Sequence, residues 1–177
     1  MKKKTLYIVR TAAMLALLLM LQFVTKPLGQ LVTGSCVNMV LVLTTLATGL
    51  QTGLEVAVLS PFVAFLLQIA PMPIVLVPGV AVGNIVMVLG CHYFSKLLHG
   101  KALRYAAAVF ASGLKFLALW LVMTRSLIPL AALPAKQAAV LTASFTWPQL
   151  ITALIGSFVA TAAAPVVKKA ITLKNIS

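Results

Sequence analysis

Apolar residues in this chain come in long, nearly unbroken blocks, and its polar residues collect in the gaps between them. Six blocks stand out, at 6–24, 32–48, 54–69, 78–98, 102–124 and 147–167. Each approaches the length of about 20 residues that a helix needs to cross a hydrocarbon core. The gaps carry turn chemistry. Lys26-Pro27-Leu28-Gly29 closes the first block, and Gly49-Leu-Gln-Thr-Gly53 closes the second. Ala70-Pro-Met-Pro73 forces an extended turn after the third, because a residue before proline avoids the helical region. His99-Gly100-Lys101 separates the fourth from the fifth, and Pro61 predicts a kink inside the third. A longer connection over 125–146 holds Pro129, Pro134 and Lys136, and its stretch 135–144 predicts a helix lying at the membrane interface. Trp147-Pro148 opens the last block; proline suits a first helical turn and tryptophan suits the headgroup level.

Composition removes the soluble alternatives. Hydrophobic residues are 62% of the 177 and charged residues 8%, with a mean hydropathy of +1.13. A soluble domain needs a charged surface of mixed sign, which this composition does not supply. The expected fold is therefore an all-α integral membrane protein, a single six-helix transmembrane domain over 1–177 with no soluble domain. The 14 Lys and Arg face a single acid, Glu55, for a net charge of +13. These cations flank the apolar blocks instead of gathering on one polar face, so anionic lipid and topology explain them and nucleic acid is not an expected partner. With the N-terminus inside, the inner side holds Lys2, Lys3, Lys4, Arg10, Lys96, Lys101, Arg104, Lys168, Lys169 and Lys174; the outer side holds Lys26, Arg125 and Lys136. That asymmetry predicts six transmembrane helices with both termini cytoplasmic. The basic start resembles an export signal, but Gln22-Phe-Val-Thr-Lys-Pro27 offers no small-residue cleavage site, which predicts a retained first helix.

Enzyme chemistry finds few residues to work with. One acid excludes a carboxylate pair. His92 and His99 sit near one end of one block with no second cluster facing them, and Cys36 and Cys91 fit no metal-ligand spacing. Gly34-Ser35 has no histidine at its depth. No catalytic residue, metal or cofactor is expected. Cys36 and Cys91 fall at different depths, so they read as small packing residues and not as a disulfide. Glu55, one turn inside the cytoplasmic end of the third block, reads as a snorkelling acid or a partner for a base such as Arg10.

Lys115 is different. It lies about 13 Å from the outer end of its block at the helical rise, and a lysine stem reaches only about 6 Å. An ionisable group at that depth faces a cavity or a partner. Gln30, Asn38, Asn84, Trp120, Arg125, Trp147 and Gln149 fall in the outer third of the same plan, with Lys26 in an outer turn. Together they outline a substrate site with aromatic walls, amide donors and a positive charge that no acid neutralises. The expected ligand is small, partly apolar and anionic.

Small residues recur at four-residue spacing: Ala12 and Ala16, Gly79 and Gly83, and Gly156, Ala160 and Ala164. Such spacing lets helix backbones approach closely in lipid, and for the last two sets internal packing is the expected use. The chain resembles the substrate-binding S components of energy-coupling factor (ECF) vitamin transporters. The likeness is carried by its length, the six-helix plan, the basic N-terminus and Ala12-x-x-x-Ala16. The stretch from Gly29 to Asn38, Gly49-x-x-x-Gly53, and the Pro-rich third turn leading into Pro78-Gly79 and Asn84 add to it. The resemblance implies a vitamin-sized ligand near the outer face, walls from the fourth to sixth helices, and the first loop as a lid. It also implies a docking face at Ala12 and Ala16 for a transmembrane coupling subunit, two cytoplasmic ATPases reached through that subunit, and a prokaryotic plasma membrane. The chain carries no Gly-x-x-x-x-Gly-Lys-Ser/Thr loop, so ATP dependence would come from those partners. Two other classes stay open: a stand-alone oligomeric small-solute transporter or channel, although the halves show no internal repeat, and a ligand-free structural membrane protein.

Overall fold

The structure, a computed structural model, describes residues 3–70, 72–98 and 100–173. Lys2, Pro71, His99 and Lys174, which carry part of the charge count and of the turn readings, lie outside the described residues. The elements are α1 (Lys3–Thr25), α2 (Gln30–Thr48), α3 (Leu50–Leu66), α4 (Val77–Leu97), α5 (Lys101–Leu119), the single turn α6 (Ile128–Leu130), α7 (Ala135–Ser144) and α8 (Trp147–Leu173). No strand occurs among the described residues.

Among the described residues, five segments are long and apolar enough to cross a membrane: Lys4–Leu28, Gln30–Thr48, Ile74–Leu97, Ala102–Leu130 and Ala135–Ile171. Helix α3 is apolar but has only 17 residues, the lower bound for a spanning helix of about 17–25. The protein is an all-α, multi-pass membrane protein.

Glycine makes the sharp reversals. Gly49 between α2 and α3 and Gly100 before α5 have φ of 108° and 117°, a region that side chains with a Cβ rarely enter. Helix α5 does not end where its apolar block does. Its backbone widens into a π-helical stretch, Trp120–Leu127, and runs on into α6. Leu119 at the end of α5, with Met123 and Leu127 on that stretch, fills the notches left by Gly79 and Gly83 on α4. A Cβ at Gly83 would lie 2.5 Å from Leu119 Cγ, and one at Gly79 would lie 2.8 Å from Met123 Sδ. These glycines are the close-packing positions that their spacing predicts.

The interior is built mainly by α2, α4, α5 and α8, with α2 against α8 as the most extensive pair. Helix α1 packs at the edge, against α2 and α3, where the Thr11 hydroxyl donates to the Glu55 carboxylate at 3.1 Å. Ala12 and Ala16 lie on the exposed side of α1. Three buried hydroxyls are satisfied by their own helix: Thr44, Thr45 and Ser112 donate to the carbonyls of Val40, Leu41 and Ala108, whereas Ser60 Oγ on α3 has no partner among the described residues. An unpaired polar group in hydrocarbon is costly, and this back-bonding removes the cost locally.

Candidate substrate cavity

Lys115 sits near the middle of the span Ala102–Leu130, deeper than its apolar block implied, because the π-helical stretch and α6 prolong α5. It is 3% exposed. Its Nζ donates to Asn38 Oδ1 on α2 and, at 2.9 Å, to Asn84 Oδ1 on α4. Asn38 Nδ2 donates in turn to Thr152 Oγ1 on α8 at 3.3 Å. Thr152 Oγ1 donates to the Gln149 carbonyl at 3.1 Å. One lysine thus joins α2, α4, α5 and α8. Burying a cation is costly unless hydrogen bonds replace water, and the two amides do this for Lys115.

The amides arrive there because the backbones approach closely. A Cβ at Gly156 on α8 would lie 2.5 Å from the Ser35 carbonyl oxygen and 2.6 Å from the Met39 amide nitrogen on α2. A Cβ at Gly34 on α2 would lie 3.0 Å from Thr152 Cγ2, so this glycine makes room for the Thr152 side chain. Larger residues would push α2 away from α8 and take Asn38 out of reach of Thr152.

Above this cluster lies a cavity of about 370 Å³. Lys115, Asn84 and Asn38 line its floor, and Lys26, Gln30 and Gln149 line its sides. Val37, Val80, Ile69 and Met72 give it apolar walls, and Leu141 and Phe145 come down from α7 and its end. Two hydrogen bonds hold the mouth in shape. Gln30 Nε2 donates to the Ser144 carbonyl at 2.7 Å, and Lys26 Nζ donates to the Gln68 carbonyl at 2.9 Å. Helix α2 adds more of the wall than the family likeness implied, supplying Gln30, Thr33, Gly34, Val37 and Asn38.

Three of the expected site residues lie elsewhere. Trp147 is 67% exposed and stacks on Phe116, with ring centroids 5.7 Å apart. Arg125 places its guanidinium 4.8 Å from the Trp120 ring centroid, a cation–π contact away from the cavity. None of Trp120, Arg125 and Trp147 lines the cavity; its aromatic residue is Phe145. Sequence reading also passed over Gln22, Thr33 and Thr152. Thr152 lies one turn from Gln149, and Gln22 lies one turn from Lys26, so helical spacing from residues already singled out points to both.

Charge limits what the cavity could hold. The chain's single acid, Glu55, is on α3, bonded to Thr11 and away from the cavity. An ammonium has three donors, and the amides of Asn38 and Asn84 take two. A ligand carboxylate or similar anion would take the third and balance the charge. The apolar walls favour a ligand with an apolar body. Comparison with known proteins finds no matching family model, no matching curated protein and no matching solved structure.

Proposed function

We propose that this protein captures a small, partly apolar anion in the cavity above Lys115, as the substrate-binding subunit of an ECF-type importer. The observation that carries the reading is a buried lysine, fixed by two amides, in the wall of an acid-free cavity of about 370 Å³. A volume of that order suits a vitamin-sized molecule. The chain crosses a prokaryotic plasma membrane six times in this reading, with α3 as the short crossing and both termini cytoplasmic. The charge asymmetry supports that orientation, and it puts the Lys115 cavity at the outer end. A cysteine introduced at Lys136 should react with a membrane-impermeant reagent from outside, and one at Lys101 should not; the reverse pattern overturns the orientation.

Native mass spectrometry of the detergent-purified protein tests the binding reading. A stoichiometric anionic small molecule should be present in the wild type and depleted in Lys115→Met. A neutral ligand, or equal retention by the folded variant, overturns it. The exposed Ala12 and Ala16 face supports docking of a transmembrane coupling subunit, which would bring two ATPases. Ala16→Trp should then abolish uptake and leave ligand binding by the isolated chain intact. Joint loss of both activities speaks against a docking face.

A further inference from the structure

The four helices that build the Lys115 cavity enclose a second one at their other end, of about 570 Å³. Arg104 on α5 and Lys168 and Lys169 on α8 stand around it. Ser95 and Thr161 add hydroxyls, and Leu46, Ala107 and Ala108 give it an apolar floor. The two cavities are separate. On α2, Asn38 lines the first and Leu46 the second, about 12 Å apart at the helical rise. Val42, Met87 and Ala111, all fully buried, fill the layer between, and the hydroxyls of Ser112 and Ser157 meet there at 3.1 Å.

Three features define what the second cavity takes. Among the described residues it carries three cations and no carboxylate side chain, since Glu55 does not line it. Its rim lies where two apolar spans end, Ala102–Leu130 beside Arg104 and Ala135–Ile171 beside Lys168 and Lys169, which is headgroup depth. Its floor is apolar, so it suits an amphiphile better than a fully hydrated ion. Basic pockets between transmembrane helices are a known way to hold acidic lipid headgroups.

We propose that this cavity is a binding site for a phosphate-bearing anion presented by a phospholipid headgroup, with Arg104 and Lys169 as its main charge contacts. The site is independent of whatever binds beside Lys115.

The test uses the full-length, detergent-purified protein, titrated with dioctanoyl phosphatidylglycerol, dioctanoyl phosphatidylcholine or glycerol phosphate and read by native mass spectrometry. Phosphatidylglycerol should bind at least about tenfold more tightly than the zwitterionic lipid. Each of Arg104→Gln and Lys169→Gln should weaken it about fivefold, and the pair about 25-fold. Ala108→Leu, which fills the floor without removing a charge, should weaken it as well. Lys115→Met should leave it within about twofold, because distant sites act additively. Equal binding of the two lipids, or unchanged phosphatidylglycerol binding in a folded Arg104→Gln/Lys169→Gln or Ala108→Leu protein, overturns the site. If glycerol phosphate alone competes as well as the lipid does, the lipid assignment falls and the site belongs to a soluble phosphate ester.

Discussion

The two cavities share four helices and the same sign of charge, but they hold that charge in opposite ways. At one end Lys115 is buried and bound by the amides of Asn38 and Asn84, with Lys26 at the mouth of the cavity. At the other end Arg104, Lys168 and Lys169 are all exposed, around an apolar floor. Depth accounts for the difference. In the middle of a span the hydrocarbon offers no partner, so the protein, or what its cavity holds, must supply those of a charged group. At headgroup level, water and lipid phosphates supply them, and side chains need little preorganisation. The Lys115 end therefore depends on exact helix spacing, and the Arg104 end depends on charge number.

The largest expected effect tests that dependence on spacing. Gly156→Leu inserts a side chain where the α2 backbone lies within 2.6 Å, at Ser35 and Met39. Overpacking against backbone should cost about 3 kcal/mol or more and loosen the Asn38–Thr152 contact. Thermal unfolding in detergent measures the cost. Unchanged stability would mean that α2 and α8 do not approach this closely.

Lys115→Met comes next. Losing a charge-assisted hydrogen bond of about 1.5–3 kcal/mol should weaken the identified ligand roughly 10- to 150-fold. Calorimetric titration of purified wild type and variant measures it. Thr152→Val keeps the side-chain shape and removes the acceptor for Asn38. A neutral hydrogen bond contributes about 0.5–1.5 kcal/mol, so the same titration should show a roughly two- to tenfold loss. A larger loss than that of Lys115→Met would make Asn38, not the lysine, the main ligand contact.

The smallest effect belongs to Arg125→Gln. Arg125 stacks on Trp120 outside the cavity, so ligand affinity should stay within about twofold. A tenfold loss would bring the Arg125–Trp120 pair back into the site.

Much of this arrangement was legible in the order of residues. Apolar blocks, interrupted by Pro and Gly, place α1, α2, α3 and α4 and the starts of α5 and α8 to within a few residues, because length and hydropathy decide which segments can lie in lipid; α7 was read from the connection between the last two blocks. Lys115 stood out for the same reason: a lysine inside an apolar block has few explanations. The extension of α5 through Trp120–Leu127 was not legible, since no residue type marks a π-helical stretch. Trp120, Arg125 and Trp147 were grouped with the site by their expected depth, but depth does not say which way a side chain faces.

What the sequence determined by itself is one-dimensional: which segments are apolar, where they stop, and which side chains would be costly at their depth. Those properties depend on each residue and its immediate neighbours. Which side chains meet was decided only by the tertiary structure. Asn38 reaches Lys115 across 77 positions of chain because Gly34 and Gly156 let α2 and α8 close on each other. Arg104 joins Lys168 and Lys169 around one cavity because α5 and α8 pack side by side. Contacts of this kind depend on the relative rotation and spacing of whole helices, which apolar periodicity in a lipid-facing sequence constrains only weakly.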